Sequence, residues 1–282
     1  MKRLFAAIAL FLTIAFTLPL TAGPPAKEAL IEDARRLPVI MYHSVLKDPA
    51  RAGKYVVSPE TLKSDLVYLR SLGYESVLPK ELIAFCEGTG TLPPKPVLIT
   101  FDDGHLNSLT YVLPILEELG MCALVSVVGE YTDQFTEHPD PNPAYAYLSW
   151  DEICLLSASG RVEIGNHTYG MHSESPRAGC MRRFSETEED YRAALSADVL
   201  RLNGRLSERG VDCRAFAYPF GRISPEADGI LKDLGFKLTL TCYEHMNVIE
   251  RGDGAALLSL GRFNRPSGEN SATFFARVLK DA

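Results

Sequence analysis

The sequence predicts one α/β domain built on a mostly parallel sheet. Short apolar, β-branched runs recur along the chain with helical patterns between them, the signature of βαβ units. No shift in composition divides the 282 residues, and one α/β barrel commonly fills about 200–250 residues. The apolar share of 46% and the charged share of 23% are those of an ordinary globular chain, which excludes disorder, collagen-like repeats and a polytopic membrane protein. A net charge of −7 lacks the basic footprint of a nucleic-acid binder.

The elements follow in order. Lys2 and Arg3 precede an apolar run over residues 4–20, and Leu20-Thr21-Ala22 leads into Gly23-Pro24-Pro25. This is the pattern of a signal peptide. The run of seventeen residues is at the lower edge for a membrane span, and Leu20 stands where cleavage favours a small residue. Residues 1–22 are therefore read as a signal peptide or as an uncleaved N-terminal anchor that would tether the chain to a membrane. Both readings place the rest of the chain outside the cytoplasm, secreted or extracytoplasmic. Residues 23–37 read as a polar linker and 38–282 as the folded domain.

A strand is expected over 38–42, ending at His43. Ser58-Pro59-Glu60 supplies an N-cap, a proline at the first helical position and an acidic first turn. The helix that follows buries Leu62, Leu66 and Leu69 and stops at Gly73. Strands are expected over 97–101, 121–128, 162–165, 215–218, 237–242 and 257–260. Helices are expected over 107–119 with a kink at Pro114, from Ser149 to about 159, from Ser185 to about 208, and over 271–279. Capping boxes open the helices at Ser149/Glu152 and Ser185/Glu188. Residues 133–146, rich in Pro, Asp and Asn, read as a long loop. The six cysteines contain no C-x-x-C pair, so a thiolate zinc site is not expected. Cys122, Cys213 and Cys242 read as small buried hydrophobes in strands.

Parallel α/β architectures place chemistry at the C-terminal ends of their strands. Asp102 and Asp103 follow one strand, and His167 and His172 follow another. Each pair has a plain alternative. Asp-Asp-Gly makes a turn and caps a helix, and a lone His is more often a hydrogen-bonded structural residue than a ligand. Taken together in one barrel mouth, the four make a coherent metal hydrolase. Asp103, His167 and His172 would bind one divalent ion, with zinc expected and one position open for water. Asp102 would remain free as a base.

These residues carry a resemblance. Thr100-Phe101-Asp102-Asp103-Gly104 and the stretch from Val162 through Gly165-Asn166-His167-Thr168 resemble the first two motifs of the polysaccharide deacetylases, the NodB homology domain of carbohydrate esterase family 4. The resemblance covers residue 38 to the C-terminus. Four residues separate His167 from His172, as in the branch of that family acting on poly-N-acetylglucosamine, and Val39-Ile40-Met41-Tyr42-His43 is similar to the same branch. Ala215-Phe216-Ala217-Tyr218-Pro219-Phe220-Gly221 resembles a degenerate third motif. Two positions depart from the pattern. Ala217 stands where an arginine usually orients the catalytic aspartate, and Arg262 stands near where the last motif usually supplies a histidine as general acid.

The resemblance implies a distorted (β/α) barrel with fewer strands than the eight-stranded type. It also implies metal-dependent removal of N-acetyl groups from an N-acetylated glycan, whether exopolysaccharide, chitin-like polymer or peptidoglycan. Asp102 is then the base. His43 is a candidate acid by position, with a structural histidine equally open. Arg262 is a candidate partner for Asp102, with a surface salt bridge as its alternative. Tyr169, Pro219 and Phe220 are candidates to bind sugar rings, whereas Trp150, at a helix start, reads as core. Two other readings stay open: a carbohydrate-binding protein without activity, and a different metal-dependent amide or ester hydrolase. No protein partner is inferred.

Overall fold

The computed structural model describes residues 33–280, so the leader over 1–22 and most of the linker lie outside the described residues. The chain runs β1 (Ala34–Leu37), β2 (Val39–Tyr42), β3 (Ser44–Val45), β4 (Val56–Val57), α1 (Pro59–Ser71), β5 (Glu75–Ser76), α2 (Pro79–Cys86) and β6 (Pro96–Phe101). It continues through α3 (Leu113–Leu119), β7 (Ala123–Val127), α4 (Gly129–Glu137), α5 (Trp150–Ala158), β8 (Val162–Asn166) and α6 (Glu188–Ser207). The last elements are β9 (Ala215–Ala217), α7 (Ala227–Asp233), β10 (Leu238–Leu240), β11 (Asn247–Glu250), β12 (Phe263–Asn264) and α8 (Ser271–Val278).

The main sheet has the order β10-β9-β8-β7-β6-β2-β12, with β5 beside the start of β6, and its pairings are parallel. Every residue of β2, β6 and β7 is buried, because helices cover one side of these strands and the barrel interior the other. Alternation along the strands sorts their side chains into two apolar clusters. Val97, Ile99, Val125 and Ile164 pack in the larger one with residues of α1, α3, α5 and α6. Val39, Leu98, Leu124, Ala215 and Leu240 form the smaller, inner one. Leu37 of β1, Ile249 of β11 and Phe85 of α2 join that inner cluster and fill one end of the barrel.

The sheet curls, and one short segment bridges its two edges. Leu260 bonds to β10, donating to Thr239 O (2.8 Å) and accepting from Thr241 N (2.9 Å). Three residues later Phe263 pairs with Ile40 of β2. The result is the distorted (β/α) barrel expected from the sequence. Its far edge is tied to α1 by a buried pair: Arg265 donates to both oxygens of Asp65 (2.8 and 3.0 Å), and Tyr42 donates to Asp65 as well (2.9 Å).

Several local expectations are corrected. Residues 34–37, read as linker, form β1 and pair antiparallel with β11. The loop expected over 133–146 begins with the last five residues of α4, where Thr136 Oγ1 accepts from Trp150 N–H. The helix expected from Ser185 starts at Glu188, because Thr187 and Asp190 form its capping box. The strand expected over 257–260 is a 3₁₀ turn, Gly254–Leu257, followed by the single bridge at Leu260. Ser259 has φ 56° there and its hydroxyl donates to Asp228, so strand geometry is broken. The bend at Pro114 is a π turn, Ser108–Val112, leading into α3. Cys122, Cys213 and Cys242 all lie just outside their strands, Cys213 buried and the other two partly buried, and all six cysteines are free thiols.

Candidate active site

The inner-facing phase of the strands runs on into the mouth of the barrel. Leu98 and Thr100 lead to Asp102, Gly165 leads to His167, and Leu260 leads to Arg262. Period-two alternation thus delivers three polar side chains to one place. A side chain at Gly165 would come within 2.7 Å of Ser126 Oγ, so the narrow interior demands glycine just below His167.

Asp102 and Asp103 take different directions because the backbone turns between them. Asp103 has φ 72°, in the left-handed region, which aspartate tolerates better than most residues. The turn is pinned from outside: Leu148 N–H donates to Gly104 O (2.8 Å) and Leu106 N–H to Ala146 O (2.9 Å). Thr168 is also left-handed at φ 73°, held by its N–H donating to the Asn166 side chain (2.8 Å). Asn166 is itself anchored to α6 through Val199 O and Asn203. Asp198 accepts from the backbone of Tyr169 and Gly170 (2.7 and 2.8 Å) and steers the loop on to His172.

Asp103 Oδ1 lies 3.5 Å from His167 Nε2 and 3.2 Å from His172 Nε2. A tetrahedral ion with bonds of about 2.0–2.2 Å holds its ligand atoms about 3.3–3.6 Å apart, so these separations fit one divalent ion. The remote ring nitrogens are engaged too. His167 Nδ1 is 2.7 Å from Ala217 O, and His172 Nδ1 is 3.2 Å from the Tyr131 hydroxyl. A carbonyl partner makes His167 Nδ1 the donor and leaves the Nε2 lone pair for a metal. The carbonyl of Ala217 thus has a use where the family's arginine side chain is missing. Burial opposes the charge on Asp103, but the imidazoles of His105, His167 and His172 gathered around it hold its carboxyl well below the usual range.

Asp102 belongs to another partner. Arg262 donates Nη1 to Oδ1 (2.7 Å) and Nη2 to Oδ2 (2.8 Å), and its Nε donates to Thr241 O (2.6 Å). Arg262 is fully buried, so it is no surface ion pair. Burial works against the Asp102 charge, and Arg262, with His167 behind it, outweighs that and lowers the pKa. Asp102 is therefore ionised at neutral pH and still has lone pairs beyond those Arg262 occupies.

The open cleft has a volume of about 730 Å³ and is lined by His43, Asp102, Asp103, His167, His172 and Phe220, among others. The His43 ring lies 4.6 Å from that of Tyr55, tilted by 52°, and its Nδ1 is buried without a hydrogen-bond partner among the described residues. Burial pushes its pKa down, against the pull of Asp102 and Asp103. Phe220 is 42% exposed, at φ 58°, with its ring 4.7 Å from that of His172.

Two of the expected sugar-binding residues are elsewhere. Tyr169 is buried, its hydroxyl bonded to Asp133 and its ring stacked under Arg201. Gly129 lies against that ring so tightly that a Cβ would be 2.3 Å from it. Pro219 is buried at the start of a tight turn and is not among the cleft residues. Trp150 is core, as expected.

The sequence reading missed His105, whose Nε2 is 3.5 Å from Asp103 Oδ2 and whose ring stacks on Tyr147. It also missed Tyr131, which reaches the His172 ring from α4. The strand-end rule would have found Tyr131, which lies four residues past the end of β7, had that strand end been followed further.

Comparison with known proteins agrees with this geometry. A family model described as polysaccharide deacetylase matches residues 89–239. The poly-beta-1,6-N-acetyl-D-glucosamine N-deacetylase of Escherichia coli K12 is 25% identical over 223 residues, covering 72% of this chain. The chain spans about a third of that relative's length (33%). Among solved structures, IcaB from Ammonifex degensii superposes with a TM-score of 0.69 at 28% identity, covering 86% of this chain and 97% of that one. A de-N-acetylase from Aggregatibacter actinomycetemcomitans shares the fold with a TM-score of 0.71 at 23% identity, covering 87% of this chain and 99% of that one.

Proposed function

The chain belongs to the polysaccharide deacetylase family, and from that premise we propose that it is a metal-dependent hydrolase removing N-acetyl groups from an N-acetylated glycan, with poly-N-acetylglucosamine the favoured polymer. The observation that carries the reading is the convergence of Asp103, His167 and His172 on one point, beside a second carboxylate that is held by an arginine and kept out of that set. A bound divalent ion, with zinc best suited to one carboxylate and two imidazoles, would acidify a water and polarise the acetamide carbonyl.

The chain's own groups do the rest. Asp102, ionised and fixed by Arg262, accepts the water proton as general base. Arg262 keeps the carboxylate charged and in one orientation; it is a positioning residue. His43, on the cleft wall with an unpartnered Nδ1, exchanges the proton that the leaving amine requires. Phe220 supplies an apolar face to the sugar ring that bears the acetamide, and a backbone N–H beside it faces the carbonyl oxygen. The apolar run over 4–20 supports export, so the proposed place of action is outside the cytoplasm.

The test is acetate release from poly-N-acetylglucosamine, chitin oligomers and peptidoglycan, with and without chelator. Chelator-sensitive release from the first is expected. Glycan binding without any release would instead favour a carbohydrate-binding protein. Release only from small acylated sugars would favour a different hydrolase.

A further inference from the structure

His167 and His172 engage their remote ring nitrogens in different ways. His167 Nδ1 meets a backbone carbonyl, Ala217 O, at 2.7 Å. His172 Nδ1 meets a side chain, the Tyr131 hydroxyl, at 3.2 Å. A carbonyl is there whatever side chain stands at 217; the hydroxyl is there only because residue 131 is tyrosine. The supports differ as well. Asp103 and His167 lie two residues and one residue past the ends of their strands, but His172 lies six past the end of β8. Of the three candidate ligands it has the longest tether, so it depends most on what grips it from the side.

Tyr131 comes from α4, and that helix is docked on the same loop. The N–H groups of Gly129 and Glu130 open the helix and have no partner within it. They donate instead to Thr168 O (3.1 Å) and Tyr169 O (2.9 Å). Tyr131 and Phe135 share a helix face at i, i+4 spacing, and both pack on Tyr147, with ring centres 4.5 and 5.5 Å away. Tyr147 bridges to His105 and stands between Ala146 and Leu148, whose backbones pin the Asp103 turn. Tyr131 is thus braced on the segment that fixes one ligand while its hydroxyl reaches another. Its ring also meets that of His172 edge-on, at 5.6 Å and 71°.

The protons define what the hydroxyl does. An imidazole that offers its Nε2 lone pair to a metal carries its proton on Nδ1, and that N–H needs an acceptor. A hydroxyl accepts through its lone pairs and has one proton of its own to give. His172 O, 3.5 Å from the Tyr131 oxygen, can only accept. The hydroxyl proton can therefore turn to that carbonyl while the oxygen receives Nδ1–H, so that one group holds both the ring and the backbone of His172. Phenylalanine at 131 would keep the ring packing and lose both contacts.

We propose that Tyr131 is a positioning residue for the metal centre: its hydroxyl holds His172 in the ring form and orientation that present Nε2 beside Asp103 and His167. It acts through His172 and not on the substrate. The proposal rests on the reading of Asp103, His167 and His172 as metal ligands.

The experiment compares wild type with Tyr131→Phe, after melts of the metal-free proteins have shown both to be folded. Zinc affinity is measured by competition with a chromophoric chelator. The cobalt(II)-loaded proteins are studied by proton NMR, in which the ring N–H of each ligating histidine gives its own strongly shifted, exchangeable signal. Tyr131→Phe should bind zinc about 10–100-fold more weakly, the usual cost of removing the outer partner of a metal-ligating histidine. Wild type should show two ring N–H signals. In Tyr131→Phe that of His172 should be lost to exchange with water, and that of His167, held by Ala217 O, should remain. A general loosening of the fold would instead weaken both signals together, and that result overturns the assignment. So does equal zinc affinity in the two proteins, or a His172 N–H that already exchanges freely in wild type. In each of these cases wild type still binds zinc. If wild type binds neither zinc nor cobalt, the metal reading itself falls and the proposal falls with it.

Discussion

Arg262 and Asp102 are 160 residues apart in sequence and meet in a two-pronged, fully buried ion pair (2.7 and 2.8 Å). A lysine cannot reproduce this fork, because it offers a point charge in place of two parallel donors. Arg262→Met should leave Asp102 buried without a partner and cost on the order of 3–5 kcal/mol in stability. Arg262→Lys should cost less stability but still lower kcat. Denaturant melts and acetate assays of both variants check this, and wild-type stability in Arg262→Met would refute the coupling.

The two adjacent aspartates should give opposite signatures. Asp102→Asn keeps the shape but cannot accept a proton at neutral pH, and should lower the rate by on the order of 10²–10⁴ with bound zinc nearly unchanged. Asp103→Asn should weaken zinc binding instead, with partial rescue by excess metal. Metal analysis beside steady-state kinetics separates them. Equal metal loss in both variants would show the roles to be misassigned.

Zinc should stabilise the fold measurably. A ligand present at about 100 times its Kd adds about 2.7 kcal/mol to the native state, so zinc should raise the Tm of wild type, and His167→Ala should lose most of that rise. The His167 pKa is raised, burial being outweighed by Asp102 and Asp103, so protons compete with metal at this ring. Zinc affinity should fall as pH drops through the raised value. An affinity flat from neutral pH to pH 5 would contradict this.

Away from the cleft, Asp133 gathers Tyr169, Trp150 and Arg205. Burial raises its pKa, but those three donors outweigh it and the net shift is downward. A carboxyl whose folded value is depressed stabilises the protein above the unfolded value, near 4, and loses that contribution as pH falls through the folded one. Asp133→Asn should therefore be less stable than wild type at pH 7, and the gap should narrow at acid pH. Parallel melts at pH 7 and pH 3 test it; a gap that widened would have the wrong sign.

Export is checked by mass spectrometry of the secreted and membrane fractions. The mature N-terminus is expected near residue 23 if the leader is removed, or at residue 1 in the membrane fraction if it is retained. Full-length protein free in the cytoplasm would contradict both.

What the sequence made legible followed from period and position. Buried apolar runs such as Pro96–Phe101 are read as strands without ambiguity, and a polar residue at the end of such a run is visible at once, so Asp102, Asp103 and His167 could be named. Arg262 could be named only as a candidate, because whether it is buried depends on a barrel seam with no local signal. Tyr169 was misjudged for the same kind of reason. Its place two residues past His167 suggests the mouth of the barrel, but the left-handed turn at Thr168 sends the side chain outward to Asp133. Tyr243 and Tyr55 carry no motif at all; only the folded surface brings them beside Phe220.

The bridging segment around Leu260 has a consequence for biosynthesis. Asp102 is made first, and its guanidinium partner follows 160 residues later. A nascent chain that has made β2, β6, β7 and β8 carries Asp103, His167 and His172 but not yet the arginine that pairs with Asp102. Until residues 260–264 emerge and join β10 to β2, Asp102 lacks the two-pronged partner it has in the closed barrel. The segment that closes the barrel is thus also the one that carries Arg262, so a chain interrupted before it lacks the group that fixes the proposed base. On the proposed mechanism, closing the barrel and fixing the base are one event.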